Sequence, residues 1–291
     1  MPARWRRFGR NPAAAGAIAA LGIASVALGG PIGDPVLSMT WDVSNDGVGP
    51  EEYSWYEHGT LNPFGHYSID PLMVGDTQDP GSMTPIPGSG FSGYGWNYAG
   101  QLQSQSNLWT YEWNCIFDDG SGPGAATGGL PFITANLVVT NADQINSQTF
   151  TLLMTLNVPR AIVNPLMNGS IVGTILDLTG DDATVSALGG SSIYEARIDF
   201  VDERSLMVDP FSASAGAPFF SGPVGPEDFG IPAPEVASQD VNTNIQIFLQ
   251  FELSPGDSAS FVSIFEIVPS PGGLAVLGLA GLAGRRRRRR A

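Results

Sequence analysis

The stretch from Gln148 to Val158, QTFTLLMTLNV, constrains this chain more than any other. Phe150, Leu152, Met154, Leu156 and Val158 take alternate positions, with Thr149, Thr151, Thr155 and Asn157 between them. A period of two sends successive side chains to opposite sides of an extended backbone, which makes one face apolar and the other polar. A helix would scatter the same residues around its circumference. The pattern recurs in ITANLVV, where Ile133, Ala135, Leu137 and Val139 share a face. In IYEARIDF it places Tyr194, Ala196, Ile198 and Phe200 inward and Glu195, Arg197 and Asp199 outward. NIQIFLQFEL aligns Ile245, Ile247, Leu249, Phe251 and Leu253. The turn residues Ser254 to Ser258 then precede another apolar run, Ala259 to Val268, and the pair reads as a hairpin.

No interior stretch repeats at 3.6 residues between capping residues. Pro- and Gly-rich connections recur, the longest from Pro210 to Glu235. Alternating strands with one polar face suit antiparallel sheets packed against each other. The expected fold is all-β: an antiparallel β-sandwich of jelly-roll or immunoglobulin-like kind over residues 31–267, with its topology left open and an apolar helical targeting segment at each end. The glycine-rich run Asp118 to Gly129 is a candidate boundary, although a single domain is the simpler reading.

The distribution of charge separates the ends from the middle. The formal net charge is −15, and every basic residue is an arginine. Arg4, Arg6, Arg7 and Arg10 lie at the start and Arg285 to Arg290 at the end, leaving Arg160, Arg197 and Arg204 among all 28 acids. A body this acidic repels nucleic acid phosphates and attracts cations. Cys115 is the only cysteine, so no intramolecular disulfide can form. Its place in the aromatic run EWNCIF marks it as a small buried hydrophobe.

The two ends read as addresses. MPARWRRFGR is a basic leader, Pro12 to Leu28 is a short alanine-rich apolar run, and Ser25-Val26-Ala27 supplies the small residues of a signal peptidase site. Residues 1–27 are therefore expected to be a secretory signal peptide. Arg6-Arg7-Phe8 hints at a twin-arginine signal without the rest of that motif. At the other end, the thirteen uncharged residues Gly272 to Gly284 would span about 20 Å as a helix, against a hydrocarbon core of roughly 30 Å. Six arginines beside so short a segment act as a stop-transfer block, held on the cytoplasmic side. Pro269 and Pro271 keep the preceding chain extended.

Residues 268–291 resemble the PEP-CTERM sorting signal: a Pro-x-Pro motif (Val268, Pro269, Ser270, Pro271), a glycine- and leucine-rich segment, and a terminal cluster formed by Arg285, Arg286, Arg287, Arg288, Arg289 and Arg290. Ser270 stands where that family has Glu. The resemblance implies transient membrane contact, recognition and cleavage by an exosortase-type membrane protease, and delivery to the cell surface, outer envelope or extracellular matrix of an exopolysaccharide-producing bacterium. It covers the tail alone. An unprocessed membrane tail is the competing reading of the same residues.

Candidate chemistry in the body is sparse. Asp42, Ser44 and Asp46 of DVSNDG match the opening of a calcium loop, but the twelfth position is Tyr53 where a Glu belongs. Asp177, Asp181 and Asp182 of DLTGDD form a second acidic turn, and Asp118 and Asp119 a third. Such residues favour turns for backbone reasons. Calcium is the one cofactor this composition suggests. Tyr94, Trp96 and Tyr98, in what reads as a glycine-rich loop, are candidates for stacking on sugar rings. Trp109, Tyr111, Trp113, Cys115 and Phe117 alternate strictly and read as core. His58 and His66 belong to no metal or nucleophile motif. The expected function is that of an exported, surface-sorted, non-enzymatic protein of the envelope or exopolysaccharide matrix. The alternatives are a secreted carbohydrate-binding or adhesive module and, behind it, a polysaccharide hydrolase. Matrix polysaccharides are candidate partners and nucleic acid is not.

Overall fold

The computed structural model describes residues 35–43, 51–57, 69–74, 82–85, 90–91, 95–103, 108–120, 130–158, 161–216 and 219–268. The expected signal peptide (residues 1–27), Pro269, Ser270, Pro271, the cluster Arg285 to Arg290, Ser44, Asp46, His58, His66 and Tyr94 lie outside the described residues. Every regular element among the described residues is a β-strand. They form two antiparallel sheets packed face to face, as the alternating pattern requires.

The first sheet runs edge to edge through β13 (Val201–Val208), β12 (Ser192–Ile198), β17 (Asn244–Leu253), β9 (Gln148–Asn157), β1 (Val36–Val43), β2 (Glu51–Glu57) and β3 (Ile69–Val74). Two short strands, β11 (Ala183–Ser186) and β14 (Ser212–Ala215), pair with each other, and β11 also pairs with the end of β17. The second sheet runs through β15 (Ser221–Phe229), β10 (Leu166–Leu176), β18 (Ser258–Val268), β8 (Phe132–Asn141), β7 (Trp109–Asp118), β6 (Gly95–Gln103) and β4 (Ser82–Pro85). There β5 (Gly90–Phe91) adds to β6, and β16 (Glu235–Val236) to β10.

Between the sheets the alternating residues meet. Trp109, Tyr111, Trp113, Cys115 and Phe117 of β7 are all buried, as are Phe150, Leu152, Met154 and Leu156 of β9 and the five apolar residues of β17. Burial pushes the Cys115 thiol pKa far up, so it is an inert core group. Phe251 of one sheet and Phe261 of the other lie 4.8 Å apart between ring centroids. Two buried tyrosines tie the sheets reciprocally. The Tyr111 hydroxyl donates to the Thr151 carbonyl across the core (3.2 Å), and the Tyr194 hydroxyl donates in the opposite direction to the Ile264 carbonyl (2.8 Å). Gly169 leaves room for the second bond, because a Cβ there would lie 2.8 Å from the Tyr194 oxygen.

Three details differ from the pattern-based expectation. First, β17 and β18 are not a hairpin. β17 pairs with β9 and β12, β18 pairs with β8 and β10, and residues 254–257 carry the chain from one sheet to the other. Both strands are apolar on the side facing the core, so alternation cannot say which sheet each one joins. Second, the Pro210–Glu235 connection contains β14, β15 and part of β16. Pro223 and Pro226 are tolerated in β15 because it is an edge strand, where a missing N–H leaves no ladder bond unmade. Pro71 in β3 and Pro85 in β4 occupy the same kind of position, so three of the four outermost strands carry proline. Third, Phe200 is 59% exposed: it sits in the β12–β13 turn at a φ of 67°, past the end of the alternating run.

The strand directions give the sandwich two distinct ends. β17 runs from Asn244 to Leu253, the chain crosses over, and β18 runs back from Ser258 to Val268. Val36 pairs with Thr155, two residues along β9 from Asn157, which pairs with Asn244. The chain therefore joins β1 and leaves β18 at the same end, termed here the tail end. The connections 177–182, 219–220 and 254–257 lie at the far end, roughly 35 Å away at 3.3 Å per residue of β18.

Phe251→Ala should destabilise the fold by about 3–5 kcal/mol through cavity formation, while Tyr194→Phe should cost about 1 kcal/mol by leaving the Ile264 carbonyl short of a donor. Ile116→Ala, on the exposed face of β7, should stay within about 0.5 kcal/mol. Chemical denaturation of the three variants measures these differences.

Candidate functional site

At the far end, the connections 177–182 and 254–257 bring Asp177, Asp181 and Asp257 together, and the connection 219–220 adds a backbone bond to Asp177. One carboxylate oxygen from each aspartate lies within 4.8 Å of the others. Asp177 follows the last residue of β10, and Asp257 immediately precedes β18. They are neighbours because Leu176 pairs with Ser258. Asp177 and Asp257 are buried, and Asp181 is exposed.

The backbone has been drawn around these groups. The Asp177 carboxylate accepts N–H bonds from Thr179 (3.0 Å), Gly180 (2.6 Å) and Phe219 (3.2 Å). Burial raises its pKa, and backbone donors from Gly180, Phe219, Thr179 and Asp182 outweigh that, holding it below the ordinary carboxylate value. The Asp257 carboxylate accepts from the Leu178 N–H (3.3 Å) and the Ser254 hydroxyl. Burial pushes the Asp257 pKa up, these two bonds lower it, and the charges of Asp177 and Asp181 raise it again, so it stays above the ordinary value. The Thr179 hydroxyl donates to Asp181.

Three converging carboxylates can chelate one hard divalent cation. They would supply part of the six to eight oxygens that calcium takes, the remainder coming from water or backbone. A cation would also relieve the carboxylate repulsion that adds to burial in raising the Asp257 pKa. Of the sequence candidates, Asp177 and Asp181 are in this group. Asp182 lies in the same turn at a φ of 76° and contributes its backbone N–H to Asp177, while its carboxylate is not one of the three. Asp257 takes the third place. It lies 76 residues beyond Asp181 and reads locally as part of a turn. Asp42 pairs with Thr149 within β1. Trp96 and Tyr98 belong to strand β6, opposite Phe117 and Cys115, and not to a loop. Asp118 caps its own turn by accepting the Gly120 N–H (2.8 Å).

Exposed apolar residues adjoin the cluster in the chain or through backbone bonds. Phe219 and Phe220 are 66% and 63% exposed, and Leu176 and Leu178, on either side of Asp177, are 39% and 43% exposed. The Asp177 N–H donates to the Phe220 carbonyl (3.1 Å) while its carboxylate receives the Phe219 N–H, and Phe219 has a φ of 62°. Non-glycine residues rarely adopt that region, and bulky ones least. The bond from Phe219 to the buried carboxylate helps to hold it there.

The tail end has a different kind of carboxylate. Asp199, in the β12–β13 turn, accepts from the backbone N–H groups of Asn242, Thr243 and Asn244 and from the Thr243 hydroxyl. Burial alone would raise its pKa, and these donors override it and lower the value to about 2. Its bonding capacity is spent on the protein, which makes it a structural brace. Both described arginines are also at this end and paired, Arg197 with Glu195 and Asp202 (2.6 Å), and Arg204 with Glu235 (2.9 Å).

No family model matches the chain, and no curated protein matches it.

Calcium at about a hundredfold excess over its Kd should stabilise the protein by about 2.7 kcal/mol, a rise in Tm of roughly 5–10 °C for a body of this size. Asp181→Asn, exposed and therefore tolerated, should abolish most of that rise in calorimetry. The Asp199 brace should show in acid. Its folded pKa is depressed, so its contribution is complete above the unfolded value of about 4 and is lost as pH falls towards about 2. Since the group is partly solvated, that contribution is on the order of 1 kcal/mol. Asp199→Asn should flatten the stability profile over that window in acid denaturation.

Proposed function

We propose that this protein is exported from a bacterial cell, sorted to the cell surface, outer envelope or exopolysaccharide matrix by its C-terminal tail, and works there as a non-enzymatic β-sandwich component. The observation that supports the reading is the junction between body and tail. Strand β18 is central in its sheet, paired with β8 and β10, and its ladder ends opposite Leu166 at Val268, where the Pro-x-Pro tail begins. Pro269 has no N–H with which to continue that ladder. The tail thus follows a firmly paired strand directly.

In this reading the tail holds the chain in the inner membrane transiently, with the arginines on the cytoplasmic side, until an exosortase-type protease cuts it. The N-terminal segment and the tail both adjoin the same end of the sandwich, so a tethered body would present its far end, with the carboxylates and Phe219 and Phe220, away from the membrane. The charge of the acidic body repels anionic lipid and nucleic acid.

Replacing Arg285 to Arg290 by Gln should let the tail slip across the membrane and send unprocessed protein into the medium. Pro269→Ala with Pro271→Ala should keep the stop-transfer charge, impair cleavage and leave full-length protein in the membrane fraction. Immunoblots of the two fractions separate these outcomes, and parental sorting of both variants would contradict the proposal.

A further inference from the structure

The exposed rings at the far end have no role in the fold or in the sorting route. We infer that the face formed by Phe219, Phe220, Leu176 and Leu178, edged by Asp177, Asp181, Asp182 and Asp257, docks an amine-bearing polysaccharide, a polymer of partly deacetylated amino sugars.

The occupant follows from shape and charge. Two adjacent phenylalanines, each about two-thirds exposed, offer flat apolar faces of the size of a pyranose ring. The face of an aromatic ring also attracts an ammonium group within about 6 Å. All four charged side chains named at this edge are carboxylates, and both described arginines are paired at the opposite end. An anionic polymer such as a uronate would be repelled, and a neutral one would leave the field of the carboxylates unused. A polymer that alternates apolar ring faces with ammonium groups complements both features together. The backbone holds Phe219 at a φ of 62° through its N–H bond to Asp177, so ring placement and local charge are mechanically linked. The preference for a polysaccharide over other cationic partners rests on the matrix address proposed above. The binding itself does not, because it is measured on the isolated protein.

The test is calorimetric titration of the protein, as isolated from the envelope or medium, with a glucosamine hexamer at a pH where its amines are protonated. N-acetylglucosamine hexamer, oligogalacturonate and hexa-lysine serve as comparison probes. The glucosamine hexamer should bind and the acetylated and anionic oligomers should not. Phe219→Asn with Phe220→Ser preserves every charge and suits the positive φ of residue 219. It should weaken binding at least about tenfold, equivalent to about 1.4 kcal/mol. Asp181→Asn with Asp182→Asn should have a similar effect, and calcium, which draws on Asp181, should compete. Undiminished binding by the phenylalanine variant would overturn the proposal, since the overall negative charge would then account for it. Binding of hexa-lysine with equal affinity and equal sensitivity to the ring variant would overturn it in favour of a docking face for basic proteins. Absence of binding to the glucosamine hexamer would overturn it directly and leave the sorting proposal untouched.

Discussion

The two sheets keep their alignment because buried tyrosines bond across the core in opposite directions. Tyr111 reaches from β7 to the Thr151 carbonyl, and Tyr194 reaches from β12 to the Ile264 carbonyl. Apolar packing alone is non-directional and would allow one sheet to slide over the other. A buried hydroxyl that must find an acceptor does not allow this, since losing its partner costs about 1–3 kcal/mol. The aromatic chain Tyr111, Phe150, Phe251 and Phe261 passes from one sheet to the other and back, with centroid separations of 5.4, 6.0 and 4.8 Å. Directional bonds set the alignment, and the rings are among the largest fully buried side chains of the core.

That alignment makes the far end a candidate site. β10 and β18 belong to the second sheet, while the residues 254–257 that carry Asp257 arrive from the first. Asp177 and Asp257 meet because Leu176, the last residue of β10, pairs with Ser258, the first residue of β18. Backbone N–H donors hold the Asp177 pKa below its ordinary value, whereas burial, and after it the charges of two neighbouring carboxylates, hold that of Asp257 above it. The tail end is built to the opposite purpose. There Asp199, Arg197 and Arg204 are bonded to the protein itself, and the first and last strands adjoin it.

Much of the fold was legible in the sequence because each strand buries one face, and burial of one face writes a period of two. The inward sets of β7, β8, β9 and β17 were all readable in this way, including the assignment of Trp109, Tyr111 and Trp113 to the core. Alternation carries no information on sheet membership, which is why β17 and β18 read as a hairpin. It is also silent at edges: the prolines that mark a loop in a central position are ordinary in β15, and Phe200 continues the rhythm of β12 after the chain has turned. The candidate site was half legible. Asp177 and Asp181 stood out as a local acidic turn, but proximity to Asp257 depends on the register of β10 and β18, a long-range fact with no local signature. Phe219 and Phe220 lay inside a Pro- and Gly-rich connection, where nothing in the residue order distinguishes an exposed ring from a buried one.

We propose that the sandwich is a body delivered between two removable addresses, with its carboxylate-and-phenylalanine end directed outward. The most direct test is intact-mass analysis of the protein recovered from the cell envelope and from the medium. The account predicts a species that starts between Leu28 and Asp34 and ends after Val268 but before Arg285, retaining all of β1 to β18. Recovery of the whole 30.6 kDa chain from both fractions, with the N-terminal arginines and all six terminal arginines in place, would contradict it.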